Sequence, residues 1–131
     1  MTIPILPDGG KLDNRNHIED ITVFVITTGE DMLGECLDSL RNQDCTFNIE
    51  YIRDVYPMSQ AFQEMPDRCK TRYFIQQDAD FILKPHAIRT LYEAICESDF
   101  RTYRVVGPMY EEGFGAGGGA KCWKRNLFRI F

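Results

Sequence analysis

The sequence predicts an α/β fold, a mostly parallel sheet flanked by helices. Three observations carry this expectation. Residues Ile21 to Thr27 form a β-branched, almost continuously apolar run of the kind found in a strand covered on both faces. Strand-like and helical periods then alternate along the chain, the order reading strand, helix, strand, short helix, strand, helix, strand. Finally, an apolar strand-like segment runs directly into Asp78-Ala79-Asp80, at the kind of edge where open α/β sheets bind ligands.

Taken in order, residues 1–20 read as an arm or loop, because Pro, Gly, Asn and Asp dominate and no periodicity is visible. After the strand at 21–27, Met32, Leu33, Cys36, Leu37 and Leu40 share one helical face, with Glu30 and Asp31 in a favourable first turn. A second strand is expected over Phe47–Val55. A short helix follows over Ser59–Cys69, with Ser59 as its N-cap, Ala61, Phe62 and Met65 turned inward and Pro66 able to kink it. Tyr73 to Gln77 is the third strand. Pro85 then precedes a helix in which Ile88, Leu91, Tyr92 and Ile95 keep helical spacing. Tyr103–Met109 is the fourth strand, and Gly113–Gly119, with five glycines in seven residues, reads as a flexible connector or loop. The organisation expected is therefore an arm (1–20), one α/β domain (21–112) and a Gly-rich loop with a basic, aromatic C-terminal segment (113–131).

Composition excludes several classes. With 131 residues, 44% of them apolar, the chain can bury one core and has no room for a second domain of ordinary size. No apolar stretch approaches the ~20 residues that cross a bilayer, and the first twenty residues lack the apolar segment of a signal peptide, so the expected location is cytoplasmic. The five cysteines (Cys36, Cys45, Cys69, Cys96, Cys122) contain no C-x-x-C pair, which fits a reducing compartment and indicates neither a disulfide framework nor a zinc site. His17 and His86 stand alone, so a histidine metal site is not expected. The net charge of −5 argues against nucleic acid as a partner. That charge is uneven, because residues 113–131 hold Lys121, Lys124, Arg125 and Arg129 and no acid. This basic end reads either as a solvated tail or as a clamp for phosphate or a partner.

Asp78 and Asp80 flank a small residue at the end of a buried strand. Residues two apart in an extended segment point the same way, so both carboxylates can serve one ion. Their oxygens suit Mg²⁺ or Mn²⁺, which also accept diphosphate oxygens and would bridge an acidic protein to a nucleotide diphosphate. A bare D-x-D also occurs in turns and helix caps.

The helix segment Cys36-Leu37-Asp38-Ser39-Leu40-Arg41-Asn42-Gln43, the strand Ile21–Thr27, the stretch Ile49–Asp54 and Tyr73-Phe74-Ile75-Gln76-Gln77-Asp78-Ala79-Asp80-Phe81-Ile82-Leu83-Lys84-Pro85 together resemble a family 2 type glycosyltransferase of GT-A fold, over about residues 20–98. The resemblance implies a Rossmann-like sheet of the GT-A type in shortened form, and transfer of a sugar from a nucleotide-diphosphate donor to an unknown acceptor with Mn²⁺ or Mg²⁺ as cofactor. It implies Thr27, Thr28 and Asp54 for the nucleoside, Asp78 for the donor ribose and metal, and Asp80 as the firmer metal ligand. Each has a plainer reading: Thr27 and Thr28 as a strand end, Asp54 as a turn residue. Arg68, Lys70 and Arg72 read either as a solvated helix end or as an approach to phosphate.

The chain departs from the family in ending soon after the D-x-D region, where family members continue into an acceptor-binding half that supplies the base of inverting enzymes. Here Glu111 and Glu112 are the candidate bases. Gly113–Gly119 contains G-x-G-x-x-G but lacks the following helix and downstream acid of a dinucleotide fingerprint. Two alternatives stay open. One is a non-catalytic nucleotide-sugar-binding or interaction module. The other is a Mg²⁺-dependent phosphohydrolase, which Phe81-Ile82 opposes by standing where a hydroxyl residue is expected. Separately, the apolar C-terminal segment with Trp123, Leu127, Phe128, Ile130 and Phe131 reads either as folded back onto its own sheet or as joined to a second copy or a partner chain, which transfer would then need.

Overall fold

The computed structural model describes residues 15–111 and 115–128. The elements run β1 (Asn16–Thr27), α1 (Leu33–Arg41), β2 (Cys45–Arg53), α2 (Met58–Arg68), β3 (Tyr73–Asp78), α3 (Ala87–Glu97), β4 (Arg104–Glu111), β5 (Gly115–Lys124) and α4 (Arg125–Phe128). They build one five-stranded sheet in the order β2-β1-β3-β5-β4. β1 is parallel to both β2 and β3, while β5 is antiparallel to both β3 and β4. The α/β architecture with a largely parallel sheet is as expected.

β1 divides the core by its alternation. Ile21, Val23 and Val25 belong to one cluster with Cys36 and Leu40 of α1 and Ile88, Leu91 and Ile95 of α3. Phe24 and Ile26 belong to the opposite cluster, with Ala61 and Met65 of α2, Phe74 of β3, and Trp123 and Phe128 packed against it. Two covered faces explain why the run is apolar at nearly every position rather than at alternate ones.

Four elements differ from the sequence expectation. β1 begins at Asn16, inside the segment read as an arm, because Asn16, His17 and Ile18 pair with Cys45, Thr46 and Phe47 before a register irregularity that precedes Thr22. Backbone pairing, not apolar burial, defines this stretch, so no pattern marks it; the rest of the expected arm, residues 1–14, lies outside the described residues. α2 starts at Met58 with Pro57 at the N-cap position and no side-chain cap, so Ser59 is not the cap, and Phe62 is partly exposed rather than turned inward. Glu30 and Asp31 precede α1 instead of forming its first turn. The Gly-rich stretch is not a loop over its described part: Gly115–Gly118 pair with β4, and the chain continues as a strand to Lys124. Glycine weakens a strand by offering no side chain to pack. Here the ladder to β4 compensates, joined from Lys121 onward by the ladder to β3.

Candidate functional site

The carboxyl ends of β1, β2 and β3 meet at one edge of the sheet. Thr27 ends β1 opposite Arg53 of β2, and Ile26 is level with Asp78 of β3. Two further backbone bonds tie the following turns to the same strand end: Asp54 N–H donates to the Thr27 carbonyl at 2.9 Å, and Ala79 N–H donates to the Ile26 carbonyl at 3.2 Å. The fold thus brings Thr27, Thr28, Asp54, Asp78 and Asp80 to one locality from three separate segments. Asp54 has φ of +53°, the left-handed region that costs a residue with a Cβ about 1 kcal/mol or more. A strained non-glycine residue at a ligand edge is the kind of outlier that accompanies function.

Glu30 is the residue that sequence reasoning misplaced. Its carboxylate accepts from the Thr27 hydroxyl at 3.1 Å and from both the backbone N–H and the hydroxyl of Thr28, while Gly29 N–H donates to Thr27 Oγ1 at 2.9 Å. Desolvation pushes the Glu30 carboxyl up, but the hydrogen bonds from Thr28 and Thr27 outweigh it and hold the group below the usual range. Gly29 makes this turn with φ of +84°, where a side chain would be strained. The sequence signal was present in the short Thr-Thr-Gly-Glu stretch, which suits a side-chain-braced turn as well as a helix start.

Asp78 and Asp80 do not share an extended segment. Asp78 is the last residue of β3, and Phe81 N–H donates to its carbonyl at 3.0 Å, closing a turn over Ala79 and Asp80. Ala79 is buried and Asp80 exposed. The two carboxylates are near each other because of the turn, not because of strand alternation. Burial pushes the Asp78 carboxyl up, Lys121 opposes this, and Asp80 and Glu30 add to it. The Cys36 thiol, also pushed up chiefly by burial, feels Asp80, Asp78 and Glu30 together. Negative charge is therefore concentrated around one point of the edge. Among the described residues no three His, Cys, Asp or Glu side chains gather as a preformed metal cluster.

Two buried glutamines hold the turn from beneath. Gln77, fully buried, donates its amide to the Phe81 carbonyl at 3.1 Å and to Cys36 Sγ at 3.6 Å; its Oε1 has no hydrogen-bond partner among the described residues, an uncommon state for a buried acceptor. Gln43 bonds the carbonyls of Ser39 and Lys84 and accepts from Ile88 N–H at 3.0 Å, so it stitches the end of α1 to the start of α3 and fixes the segment that follows Asp80.

The remaining candidates lie elsewhere. Gln76, Lys121 and Val106 are level across β3, β5 and β4, so Glu111, three residues past Pro108, extends about 10 Å beyond the level of Asp78 at the same edge. Glu112 lies outside the described residues. Arg68 is paired with Glu50 and Glu64, and Lys70 and Arg72 flank the opposite end of β3, about 17 Å from Asp78 by strand length. Beside the edge, a cleft of ≈ 790 Å³ opens between α2 and the β4–β5 pair, lined by aromatic residues including Phe62, Tyr103 and Trp123, with Gln76 and Lys121 at the Asp78 end. Trp123 and Phe128 pack on Phe74, so this part of the C-terminal segment is folded back onto the chain's own sheet. No helix among the described residues is long and apolar enough to cross a membrane.

No protein-family model and no curated protein sequence matches this chain. Its fold is similar to that of 4-diphosphocytidyl-2C-methyl-D-erythritol synthase from Anaerococcus prevotii, with a TM-score of 0.57 and 10% identity over 88% of this chain and 74% of that one. It is also similar to A197 from STIV, with a TM-score of 0.58 and 15% identity over 85% of this chain and 68% of that one. At such identities the likeness establishes the α/β fold of this chain, a Rossmann-like sheet with helices on its faces, and nothing finer.

Proposed function

We propose that the edge formed by the ends of β1, β2 and β3 binds a nucleotide-diphosphate sugar, and that the chain is a metal-dependent glycosyltransferase. The observation that carries this reading is the convergence of Thr27, Asp54 and the Asp78–Asp80 turn at one strand end. Asp54 and the Thr27–Thr28 turn would take the base and ribose. Asp78 and Asp80 would hold Mg²⁺ or Mn²⁺, a donor set that fits: these ions use one or two carboxylates and fill their other positions with water and phosphate oxygens. The carboxylates of Asp78, Asp80 and Glu30 repel one another, and a bound cation would relieve that repulsion. The metal supplies neutralisation of charge developing on the departing diphosphate. Likeness to a synthase whose name describes a diphosphocytidyl product lends support to a nucleotide as ligand.

The acceptor would approach from the aromatic cleft, whose Gln76 and Lys121 border Asp78. Glu111 is the candidate base on this reading and would have to reach back toward the strand ends. A thermal-shift panel of UDP, GDP, CDP and ADP, with and without Mn²⁺, tests the proposal. One nucleotide is expected to raise Tm only with metal, and Asp80→Asn is expected to abolish the effect without lowering the Tm of the free chain. An equal shift after chelation would refute the metal role. Binding without transfer of labelled sugar would make the chain a binding module, and phosphate release from a phosphoester would make it a phosphohydrolase.

A further inference from the structure

At the other edge of the sheet, where β3 begins and β5 ends, a second cleft of ≈ 490 Å³ is lined by Lys70, Arg72, Lys124 and Arg125 together with Tyr73 and Asn126, and none of its lining residues is acidic. In a chain with 20 acidic and 15 basic residues, four cations around one hollow is a marked segregation. Other arginines of the molecule show what happens elsewhere: Arg41, Arg68, Arg89 and Arg101 each pair with a carboxylate. Three of the four cations of this cleft are anchored by neutral groups instead. Lys124 Nζ donates to the Asp99 carbonyl at 2.8 Å, Arg125 Nε donates to the Pro66 carbonyl at 3.3 Å, and Arg72 lies over the Tyr73 ring at 5.8 Å. Carbonyls and ring faces fix the position of a cation without cancelling its charge. The backbone holds the two sides together, since Arg125 N–H donates to the Arg72 carbonyl at 3.0 Å and Tyr73 pairs with Lys124.

We infer that this cleft binds a phosphate-bearing ligand, separately from the nucleotide edge. Guanidinium and ammonium groups converging from two strand ends suit the several oxygens of a phosphate, with Arg72, Lys124 and Arg125 held in place and the exposed Lys70 closing on the ligand. The ligand chemistry has two sources, a soluble phosphorylated molecule or a phosphorylated lipid headgroup.

The test uses the full chain at low salt without divalent metal. Inorganic pyrophosphate is titrated calorimetrically into the parent, the double variant Lys70→Gln/Arg72→Gln and Asp80→Asn. In parallel, each is sedimented with phosphatidylcholine vesicles carrying phosphatidic acid. The parent and Asp80→Asn are expected to bind at least one probe saturably, and the double variant about tenfold or more weakly. Pyrophosphate binding identifies a soluble ligand; vesicle binding alone identifies a headgroup. Both substituted side chains are exposed, so the fold is expected to survive, which circular dichroism checks. Undiminished binding by the double variant, or saturable binding of neither probe by the parent, would overturn the inference. Loss in Asp80→Asn with retention in the double variant would assign the anion to the nucleotide edge instead.

Discussion

β1 and β5 lie on either side of β3 and are built on opposite terms. β1 is buried from Ile21 to Thr27, with two helices on one of its faces and one on the other. β5 opens with glycines and keeps its place through ladders, to β4 along its length and to β3 near its end. The parallel half is thus specified by what its side chains bury, and the glycine-rich start of the antiparallel half by what its backbone pairs with, while Ala120 and Cys122 further along β5 join the core. The candidate nucleotide site follows the first half, because parallel strands deliver their turns to one common edge. The large cleft follows the second, because Tyr103, Trp123 and Phe128 gather their rings beside β4 and β5 on the α2 side of the sheet.

The sharpest way to break this contrast is at the seam. Phe74 is fully buried in β3 and meets Phe24 of the parallel half at 5.9 Å, and Trp123 and Phe128 of the other at 6.4 and 5.3 Å. Phe74→Ala should cost about 3–5 kcal/mol of stability, because it removes a large side chain from a cluster with elements on all sides. Urea denaturation followed by the single tryptophan reports it directly, Trp123 being a neighbour. A loss near that of a surface substitution would mean the halves are joined by their ladder alone.

A middle-sized effect separates function from stability within the parallel half. Asp54 carries left-handed strain, and Asp54→Gly removes both the strain and the carboxylate. Stability should stay level or rise by up to about 1 kcal/mol, since relief of φ strain outweighs or offsets the added freedom of the unfolded chain. Nucleotide affinity should fall by about 1.5–3 kcal/mol, the worth of a hydrogen bond to a charged group. Opposite signs in thermal melting and in ligand titration would mark Asp54 as retained for binding; affinity unchanged in the glycine variant would remove it from the site.

What could be read from the sequence follows the same division. The run Ile21–Thr27, the helical faces of Cys36 and Leu40 and of Ile88, Leu91 and Ile95, and the strand entering Asp78 all announce themselves because burial imposes a period on residue type. The gathering of Thr27, Asp54 and Asp78 was legible as well, since parallel order alone sends those positions to one edge. Residues 16–18 and 115–119 were not legible as strand, because a backbone ladder leaves no trace in polar or glycine side chains. Glu30 was visible but ambiguous: an acid at that position satisfies a helix dipole and a threonine-braced turn equally well. The geometry by which Asp80 approaches Asp78 depends on a turn held by Gln77, a contact that no spacing rule contains.

The smallest effect sharpens the comparison from the antiparallel side. Gly107 sits in β4 beside a register irregularity between Val106 and Pro108. A Cβ there would meet the Ala120 carbonyl oxygen and Leu91 Cδ2, both at 3.6 Å, which is ordinary van der Waals contact. Its φ is not in the left-handed region, and the proline that follows already favours extended backbone at this position. Gly107→Ala therefore loses nothing the fold uses, and it restricts the unfolded chain while adding a methyl against α3. Stability should rise by about 0.5 kcal/mol, or about 2 °C in Tm. A clear fall instead would mean that the irregularity in β4 requires glycine, and that the antiparallel half is specified by backbone conformation as tightly as the parallel half is by burial.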